Sequence, residues 1–196
     1  MTERKATVQR KTRETSIDLT LDLDGSGTAE VSTGIGFLDH MLSALACHGR
    51  FDLTLSCAGD LEIDDHHTAE DCALALGQAF DEALGERRDL ERFAHAYAPL
   101  DEALARAVVD LSSRPFASVR MNFVRPSLGS IATENLTHVL QSFATAARIT
   151  LHVEVLEGEN DHHKSEAAFK ATALALRDAV RRRPGVGVPS TKGVLE

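Results

Sequence analysis

One six-residue pattern occurs twice in this chain, and its repetition restricts the possible folds more than any other feature. DHHTAE occupies residues 65–70 and DHHKSE occupies residues 161–166, so the two copies lie 96 positions apart. His40 and His138 precede the two copies at similar distances. The flanking segments alternate in the same order between the hydrophobic period of a strand and that of a helix. We therefore predict an α+β fold built from two duplicated βββαβα halves.

The hydrophobic pattern predicts matching elements in both halves. In the first half it predicts strands near residues 4–11, 17–23, 28–32 and 51–57 and helices over 36–48 and 65–84. In the second half it predicts strands near 93–98, 103–111, 116–124 and 149–156, a loop at 125–129, and helices over 133–147 and 161–183. We expect strand 4–11 to pair with 17–23, and strand 28–32 to return after a turn at 24–27. Asp65 and Asp161 are the predicted N-caps of their helices.

Composition and charge exclude several classes of protein. With 196 residues, of which 43% are hydrophobic, the chain can bury a real core, and no Pro/Ser-rich linker separates residues 1–91 from 92–196. We expect these two half-repeats to form one compact unit. The net charge of −9 argues against a general nucleic-acid binder.

The chain carries no sign of a membrane protein or of a secreted one. No apolar run approaches the ~20 residues of a membrane span, and the N-terminus lacks the apolar region of a signal peptide. Cys47, Cys57 and Cys72 have no CxxC spacing. We therefore expect a cytoplasmic protein with reduced cysteines.

The repeated pattern has the spacing of a metal half-site. Residues three and four apart share one face of a helix, so Glu70 lies over His66 and His67, and the second copy repeats this arrangement. Adjacent histidines diverge by about 100° around the helix axis, so both are unsuited to one ion. Two copies predict two metal sites, each with a further ligand from His40 or His138. The alternative, a chance pair of solvated histidines, does not explain two copies at a fixed offset.

The donor types indicate which metal would bind. Imidazoles and carboxylates without thiolates fit Mn²⁺, with Fe²⁺, Co²⁺ or Zn²⁺ as possible substitutes. The two copies also differ, because Lys170 follows Glu166 by one helical turn where the first copy has Leu74. A lysine beside a bound cation would be repelled unless an anion lay between them. The difference favours a phosphate or carboxylate ligand near Lys170 over a merely solvated lysine.

Seven segments resemble the imidazoleglycerol-phosphate dehydratase family. They are GIGFLDHML (34–42), DHHTAED (65–71), RF (92–93), PLDEA (99–103), SSRP (112–115), HHKSEAAFK (162–170) and PSTKG (189–193). The resemblance covers nearly the whole chain in the family's order. It implies a ribosomal protein S5 domain 2-like fold, with helices packed between two mixed β-sheets.

The resemblance also implies an activity and an assembly. The activity is dehydration of imidazole-glycerol phosphate to imidazole-acetol phosphate in histidine biosynthesis, with two Mn²⁺ per active site. A metal-stabilised imidazolate that expels the hydroxyl to give a diazafulvene would explain how a proton is lost away from any carbonyl. The family further implies trimers that assemble into an octahedral shell of twenty-four subunits, with active sites shared between subunits.

Matching by motif position assigns roles to individual residues. The implied metal ligands are His40, His66, His67, Glu70, His138, His162, His163 and Glu166. The implied substrate and phosphate contacts are Glu14, Arg92, Arg114, Lys170, Ser190 and Lys192. Glu166 is the first candidate for proton transfer, followed by Glu14, Asp101 and His40. Ala44 stands where many members carry Gln.

Two other kinds of function fit the histidine pattern without the resemblance. A dinuclear metallohydrolase acting on an amide or phosphoester would use similar ligands. A non-catalytic metal-storage or RNA-associated protein would also fit, although the acidic charge weakens the RNA alternative.

Overall fold

Residues 3–195 are described by a computed structural model, in which four helices lie between two four-stranded sheets. The first half contains β1 (Lys5–Lys11), β2 (Thr15–Asp22), β3 (Ala29–Ser32), α1 (Gly36–Gly49), β4 (Asp52–Gly59) and α2 (His66–Leu84). The second half contains β5 (Phe93–Leu100), β6 (Ala103–Asp110), β7 (Phe116–Arg120), β8 (Ser127–Leu128), β9 (Ile131–Ala132), α3 (Thr133–Ala146), β10 (Thr150–Glu157) and α4 (Asp161–Ala179).

The two sheets have the same topology. The strand orders are β1-β2-β4-β3 and β5-β6-β10-β7, and in each sheet the last pair is parallel while the other pairs are antiparallel. Helix α2 packs on the first sheet and α4 on the second, while α1 packs against α4 and α2 against α3. The predicted α+β fold, with helices between two mixed sheets, is confirmed. The boundary between residues 91 and 92 stays a prediction.

Alternation of apolar and polar residues explains which face of each sheet meets the helices. In β2, Ile17, Leu19 and Leu21 are buried while the residues between them are polar. In the second sheet the inward positions of β6 are mostly alanines, from Ala103 to Ala107. Their small side chains let the alanine-rich helix α4 lie close to the sheet. The buried apolar residues of the two halves form one common core.

A close approach of two backbones fixes how α2 crosses α3. A Cβ placed on Gly77 would lie 2.6 Å from the carbonyl oxygen of Phe143 and 2.8 Å from the backbone nitrogen of Ala147. Atoms that close would overlap, so the observed separation of α2 and α3 requires glycine at this position. This crossing holds the N-terminal part of α2 opposite α3.

The predicted partner of β3 is wrong. Residues Ala29–Ser32 pair in parallel with β4 and do not return along β2. The Asp52 carboxylate accepts hydrogen bonds from the backbone nitrogens of Ser26, Gly27 and Thr28 and so carries the chain past β2 to the far side of β4. Helix α1 then makes the crossover that a parallel pair requires.

Several predicted element ends and the predicted N-cap Asp161 are also wrong. Strand β7 ends at Arg120, the loop predicted at 125–129 contains β8 of a short two-stranded sheet, and α4 ends at Ala179. Asn160, not Asp161, caps α4 by accepting a hydrogen bond from the His162 nitrogen. Asp65 is at the N-cap position of α2 as predicted, but its side chain makes no capping hydrogen bond, because its carboxylate accepts hydrogen bonds from the Ala132 nitrogen and the Asn135 amide.

Candidate metal centres

Six of the eight predicted ligands form two clusters within residues 3–195. One cluster contains His40, His162 and Glu166 and the other contains His66, Glu70 and His138; in each, the potential donor atoms lie within 4.8 Å of one another. We name them the α1–α4 cluster and the α2–α3 cluster after the helices that carry them. Each cluster therefore combines an i, i+4 pair from one half with a histidine from the other.

In the α1–α4 cluster, Glu166 contacts both histidines. Its Oε2 lies 3.2 Å from His40 Nε2 and 3.4 Å from His162 Nε2. Lys170 Nζ lies 2.5 Å from the other carboxylate oxygen. Burial alone would raise the pKa of Glu166, but hydrogen bonds from Lys170 and His40 outweigh it and lower the pKa to about 2. Glu166 is therefore an ionised carboxylate, and Lys170 lies directly beside the cluster.

In the α2–α3 cluster, the hydrogen bonds leave one ring nitrogen of His66 available. Glu70 lies 3.0 Å from His138 Nε2 and 3.7 Å from His66 Nε2, and the two rings stack with centroids 5.1 Å apart. His66 Nδ1 lies 3.0 Å from Asn135 Oδ1, which selects the tautomer with the proton on Nδ1. The His66 Nε2 lone pair then faces the cluster, as a metal ligand requires.

The neighbouring histidines His67 and His163 lie outside both clusters. His67 Nδ1 lies 3.0 Å from an Asp60 oxygen, and its Nε2 lies 3.9 Å from Glu14. His163 Nδ1 lies 2.7 Å from Glu102, and its Nε2 lies 3.9 Å from Asp101. These separations follow from the 100° divergence of adjacent helical residues.

The carboxylates beside these two histidines raise the pKa of both. The hydrogen bond to Asp60 raises the pKa of His67, and the hydrogen bond to Glu102 raises the pKa of His163. In both residues the Nδ1 atom is thus held by an acid, and the Nε2 atom is directed to a second acid nearby.

Most predicted phosphate contacts lie elsewhere in the chain. Arg92, Arg114, Ser190 and Lys192 line one cavity of ≈ 640 Å³ together with Phe93. Arg92 holds the C-terminal segment there, because its Nη1 donates to the carbonyl oxygen of Pro189 while its Nε donates to Asp110. We name this cavity the arginine cavity.

The arginine cavity and the α1–α4 cluster are at opposite ends of α4. The Arg92 nitrogen donates to the carbonyl oxygen of Ala179, at the last residue of this helix, whereas Glu166 is in its first turns. At 1.5 Å per residue the two points are about 20 Å apart. Lys170 therefore lies with the cluster and not with the other four predicted phosphate contacts.

Three residues of the site were not predicted: Asp60, Glu102 and Asn135. Each holds the Nδ1 atom of a histidine, at 3.0 Å, 2.7 Å and 3.0 Å respectively. They belong to other elements than the histidines they contact, so helical spacing carries no signal for them. Glu102 lies within a segment that resembles the family, but the spacing of the residues gave it no role.

Comparison with known proteins identifies the family. The sequence model of imidazoleglycerol-phosphate dehydratase matches residues 33–176. The chain belongs to the imidazoleglycerol-phosphate dehydratase family. The family's name agrees with the resemblance and the dehydratase activity predicted from the sequence, and both predictions are confirmed.

Relatives with this name match nearly the full chain. The imidazoleglycerol-phosphate dehydratase of Candida glabrata is 56% identical over 97% of this chain and 99% of its own length. That of Phytophthora nicotianae is 60% identical over 98% of this chain, which spans 42% of that longer protein. The crystal structure of the Pyrococcus furiosus dehydratase is similar with a TM-score of 0.83 at 37% identity, over 96% of this chain and 100% of that one.

Family membership also bears on the alternatives. A dehydratase is neither a hydrolase nor a storage protein, so both alternative functions lose their support. Within residues 3–195, no helix is long and apolar enough to cross a membrane.

Proposed function

We propose that this chain catalyses the metal-dependent dehydration of imidazole-glycerol phosphate to imidazole-acetol phosphate, a reaction of histidine biosynthesis in the cytoplasm. The observation that carries the proposal is the pair of clusters, each with two imidazoles and one carboxylate, in a member of the dehydratase family. Two sites in one chain match a substrate whose imidazole ring has two nitrogens to bind.

The donor set supports two Mn²⁺ ions as cofactors. His40, His162 and Glu166 would hold one ion, and His66, Glu70 and His138 the other. Neither cluster contains a thiolate, and three ligands each leave coordination positions open for substrate. When bound, the ions supply Lewis acidity toward the nitrogens of the substrate imidazole, which favours loss of the ring proton.

His67 and His163 are the proposed further ligands. Each has its Nδ1 atom held by a carboxylate, which is the usual arrangement around metal-bound histidines, and neither belongs to a cluster of its own chain. A ligand that its own chain does not use is available to a metal held by a neighbouring copy.

Glu166 and Glu14 suit different tasks. Glu166 has a pKa lowered to about 2, where burial opposes and the hydrogen bonds from Lys170 and His40 dominate, so it is a weak base and a good ligand. Glu14 is half-exposed beside His67, which supports a role in moving the substrate proton. Asp101 has the corresponding place beside His163, and His40 remains a further candidate. Lys170 would bind the phosphate next to the α1–α4 cluster.

The separation of phosphate contacts from metal ligands supports an active site shared between subunits. Arg92, Arg114, Ser190 and Lys192 are about 20 Å from the α1–α4 cluster of the same chain, farther than one substrate molecule reaches. A neighbouring subunit can bring its own arginine cavity to the cluster. The trimers and the octahedral shell of twenty-four subunits implied by the family are the assembly that we propose.

The outer faces of the two sheets support self-association through the second sheet. Phe93 and Tyr97 on β5 and Phe116 on β7 are each more than half exposed on its outer face, where Val108 of β6 is partly exposed as well. The outer positions of β1 and β2 in the first sheet are instead polar or charged. Phe93 also lines the arginine cavity, where the guanidinium of Arg92 lies 4.4 Å from its ring centroid, so this face borders the cavity. A patch of this kind marks a contact surface.

Metal removal tests the proposal. The protein would be stripped with chelator, assayed with imidazole-glycerol phosphate, and assayed again after Mn²⁺ is restored, with sedimentation velocity to measure its assembly. We expect the ketone product, without released phosphate, only when Mn²⁺ is present. A normal rate in fully stripped protein would contradict the metal dependence, and released phosphate would favour the metallohydrolase.

A further inference from the structure

Asp71 is a buried acid that the histidine clusters do not use. It follows Glu70 on α2, but its side chain faces β1 and β2, and only 5% of the residue is exposed. Its Oδ2 accepts a hydrogen bond of 2.5 Å from Thr15 Oγ1 and forms an ion pair with Arg10. Buried ion pairs stabilise a fold little, so the stability of the sheet is a poor reason for this group.

The partners of Asp71 are at the base of the turn that carries Glu14. Thr12 closes this turn, because its Oγ1 accepts hydrogen bonds from the nitrogens of Glu14 and Thr15, both at 3.1 Å. Arg10 and Thr15 are on the two strands that the turn connects. Asp71 therefore attaches both ends of the turn to the helix that carries His66 and His67.

A second attachment holds the tip of the same turn. The Asp60 nitrogen donates to the Glu14 carbonyl oxygen at 3.1 Å, and the Asp60 carboxylate holds His67 Nδ1. The turn is thus fastened at its base to α2 and at its tip to the residue that orients His67. Together the two attachments hold the Glu14 carboxylate near His67, with Oε1 at 3.9 Å from Nε2.

The second half lacks the attachment at the base. The residue 96 positions after Asp71 is Ala167, which has no polar side chain. There the turn between β5 and β6 is held by its own Glu102, whose carboxylate accepts hydrogen bonds from the nitrogens of Glu159 and Asn160 and contacts His163. The two halves thus fix their turns by different means, and the buried acid belongs only to the turn that carries Glu14.

We propose that Asp71 is a positioning residue: through Thr15 and Arg10 it fixes the β1–β2 turn on α2 and thereby sets the place of the Glu14 carboxylate beside His67. The inference rests on the proposed function, in which Glu14 acts on the substrate. A displacement of about 1 Å in such a group is enough to lower turnover by one to two orders of magnitude.

The test uses Thr15→Val, which removes the donor to Asp71 but keeps the side-chain volume, with Thr15→Ser as the matched control. Asp71→Asn is the second variant. We expect Thr15→Val and Asp71→Asn to lower kcat about tenfold or more, while the amount of bound metal and KM stay nearly unchanged. The kcat of Thr15→Ser should stay within about twofold of that of the parent protein. In metal-free protein, we expect faster amide exchange at Glu14 and Asp60 in Thr15→Val but not in Thr15→Ser.

A double-mutant cycle separates positioning from general structural damage. If Asp71 acts through Glu14, Asp71→Asn adds less than about a twofold loss to Glu14→Gln. Losses that multiply in full, or equal kcat values for Thr15→Val and Thr15→Ser, overturn the inference. An unchanged kcat in Glu14→Gln overturns it as well, together with the role of Glu14. A parent protein without dehydratase activity would instead overturn the proposed function, which is a separate result.

Discussion

The α1–α4 cluster and the α2–α3 cluster contain the same donors but differ in what surrounds them. In the first, Glu166 is 14% exposed and is paired with Lys170, whereas in the second Glu70 is 35% exposed and has Leu74 one turn later. The residue three positions before the single histidine is Phe37 in one cluster and Asn135 in the other. Duplication thus provides two similar sets of donors, and a few substitutions give the carboxylate of one cluster a lysine partner that the carboxylate of the other lacks.

Lys170 should account for the largest functional difference between the two clusters. We expect Lys170→Ala to lower kcat/KM by about a hundredfold or more, because the variant would lose the proposed charge-assisted contact with the substrate phosphate and the ion pair with Glu166. Leu74→Ala, at the equivalent position of α2, is the matched control and should cost less than about threefold. Steady-state kinetics on both variants measures the difference. Equal losses at the two positions would mean that the clusters are functionally equivalent.

A substitution of Gly77, where α2 crosses α3, should have the next largest effect. Gly77→Ala forces a methyl group into the backbone of α3, so we expect it to lower the free energy of unfolding by about 2–3 kcal/mol. Metal binding at the α2–α3 cluster should weaken, with the α1–α4 cluster little affected. The equivalent residue of α4 is Ala173, and Ala173→Gly should cost about 1 kcal/mol. Denaturant unfolding of metal-free protein measures the two stabilities, and Mn²⁺ titration measures the affinity of each cluster. A loss of unfolding free energy in Gly77→Ala no larger than that in Ala173→Gly would contradict the prediction.

The residues that orient the histidines should have a smaller effect. Asn135→Leu removes the hydrogen bond that fixes His66 Nδ1, so we expect Mn²⁺ affinity at the α2–α3 cluster to fall about tenfold. Phe37 has no hydrogen-bonding group and packs against the rings of His162 and His40, with centroids 5.0 Å and 6.1 Å away, so Phe37→Leu should change Mn²⁺ affinity at the α1–α4 cluster by less than about threefold. Calorimetric titration distinguishes the two variants. A larger loss in Phe37→Leu would show that ring packing, not hydrogen bonding, orients these ligands.

The smallest expected effect is at the contact that joins the two halves. Arg4, on the first half, lowers the pKa of Asp24 from 3.8 to about 2 by a hydrogen bond that outweighs burial, with help from Arg182 just after α4. A lowered pKa means that the stabilisation is fully present above the unfolded pKa and is lost as pH falls toward 2. The Asp24 side chain is 44% exposed, so solvent screening limits its contribution to about 1 kcal/mol.

We therefore expect Asp24→Asn to lower the free energy of unfolding by about 1 kcal/mol above pH 5, with the difference vanishing between pH 5 and pH 2. Urea unfolding at several pH values measures it. Asp18→Asn, on the outer face of the first sheet, is the control. A difference that grew as the pH fell would contradict the assignment.

The elements of the fold could be predicted because they depend on local patterns. Alternation in residues 17–23 and the helical period after residue 65 are visible in the sequence, and so is the contact of Glu70 with His66 on one helix. The partner of β3 could not be predicted, because its parallel pairing depends on how α1 crosses the sheet.

The site was predictable only within single helices. That His40 joins Glu166 of the other half depends on the packing of α1 against α4, which no local pattern encodes. Asp60 and Asn135 act on histidines that are distant in the sequence, so their roles follow from tertiary contacts alone. The missing capping bond from the Asp65 side chain has the same origin, since its carboxylate accepts a hydrogen bond from the Asn135 amide.

The exchange of histidines between halves has a consequence for the origin of the chain. His40 completes a cluster on α4, and His138 completes one on α2, so a half-length polypeptide folded alone would have at most two of the three donors at either place. A progenitor of that length could have assembled a full set only by pairing with an identical molecule. Fusion of two such genes would let each copy mutate separately, which agrees with a lysine on α4 where α2 has Leu74.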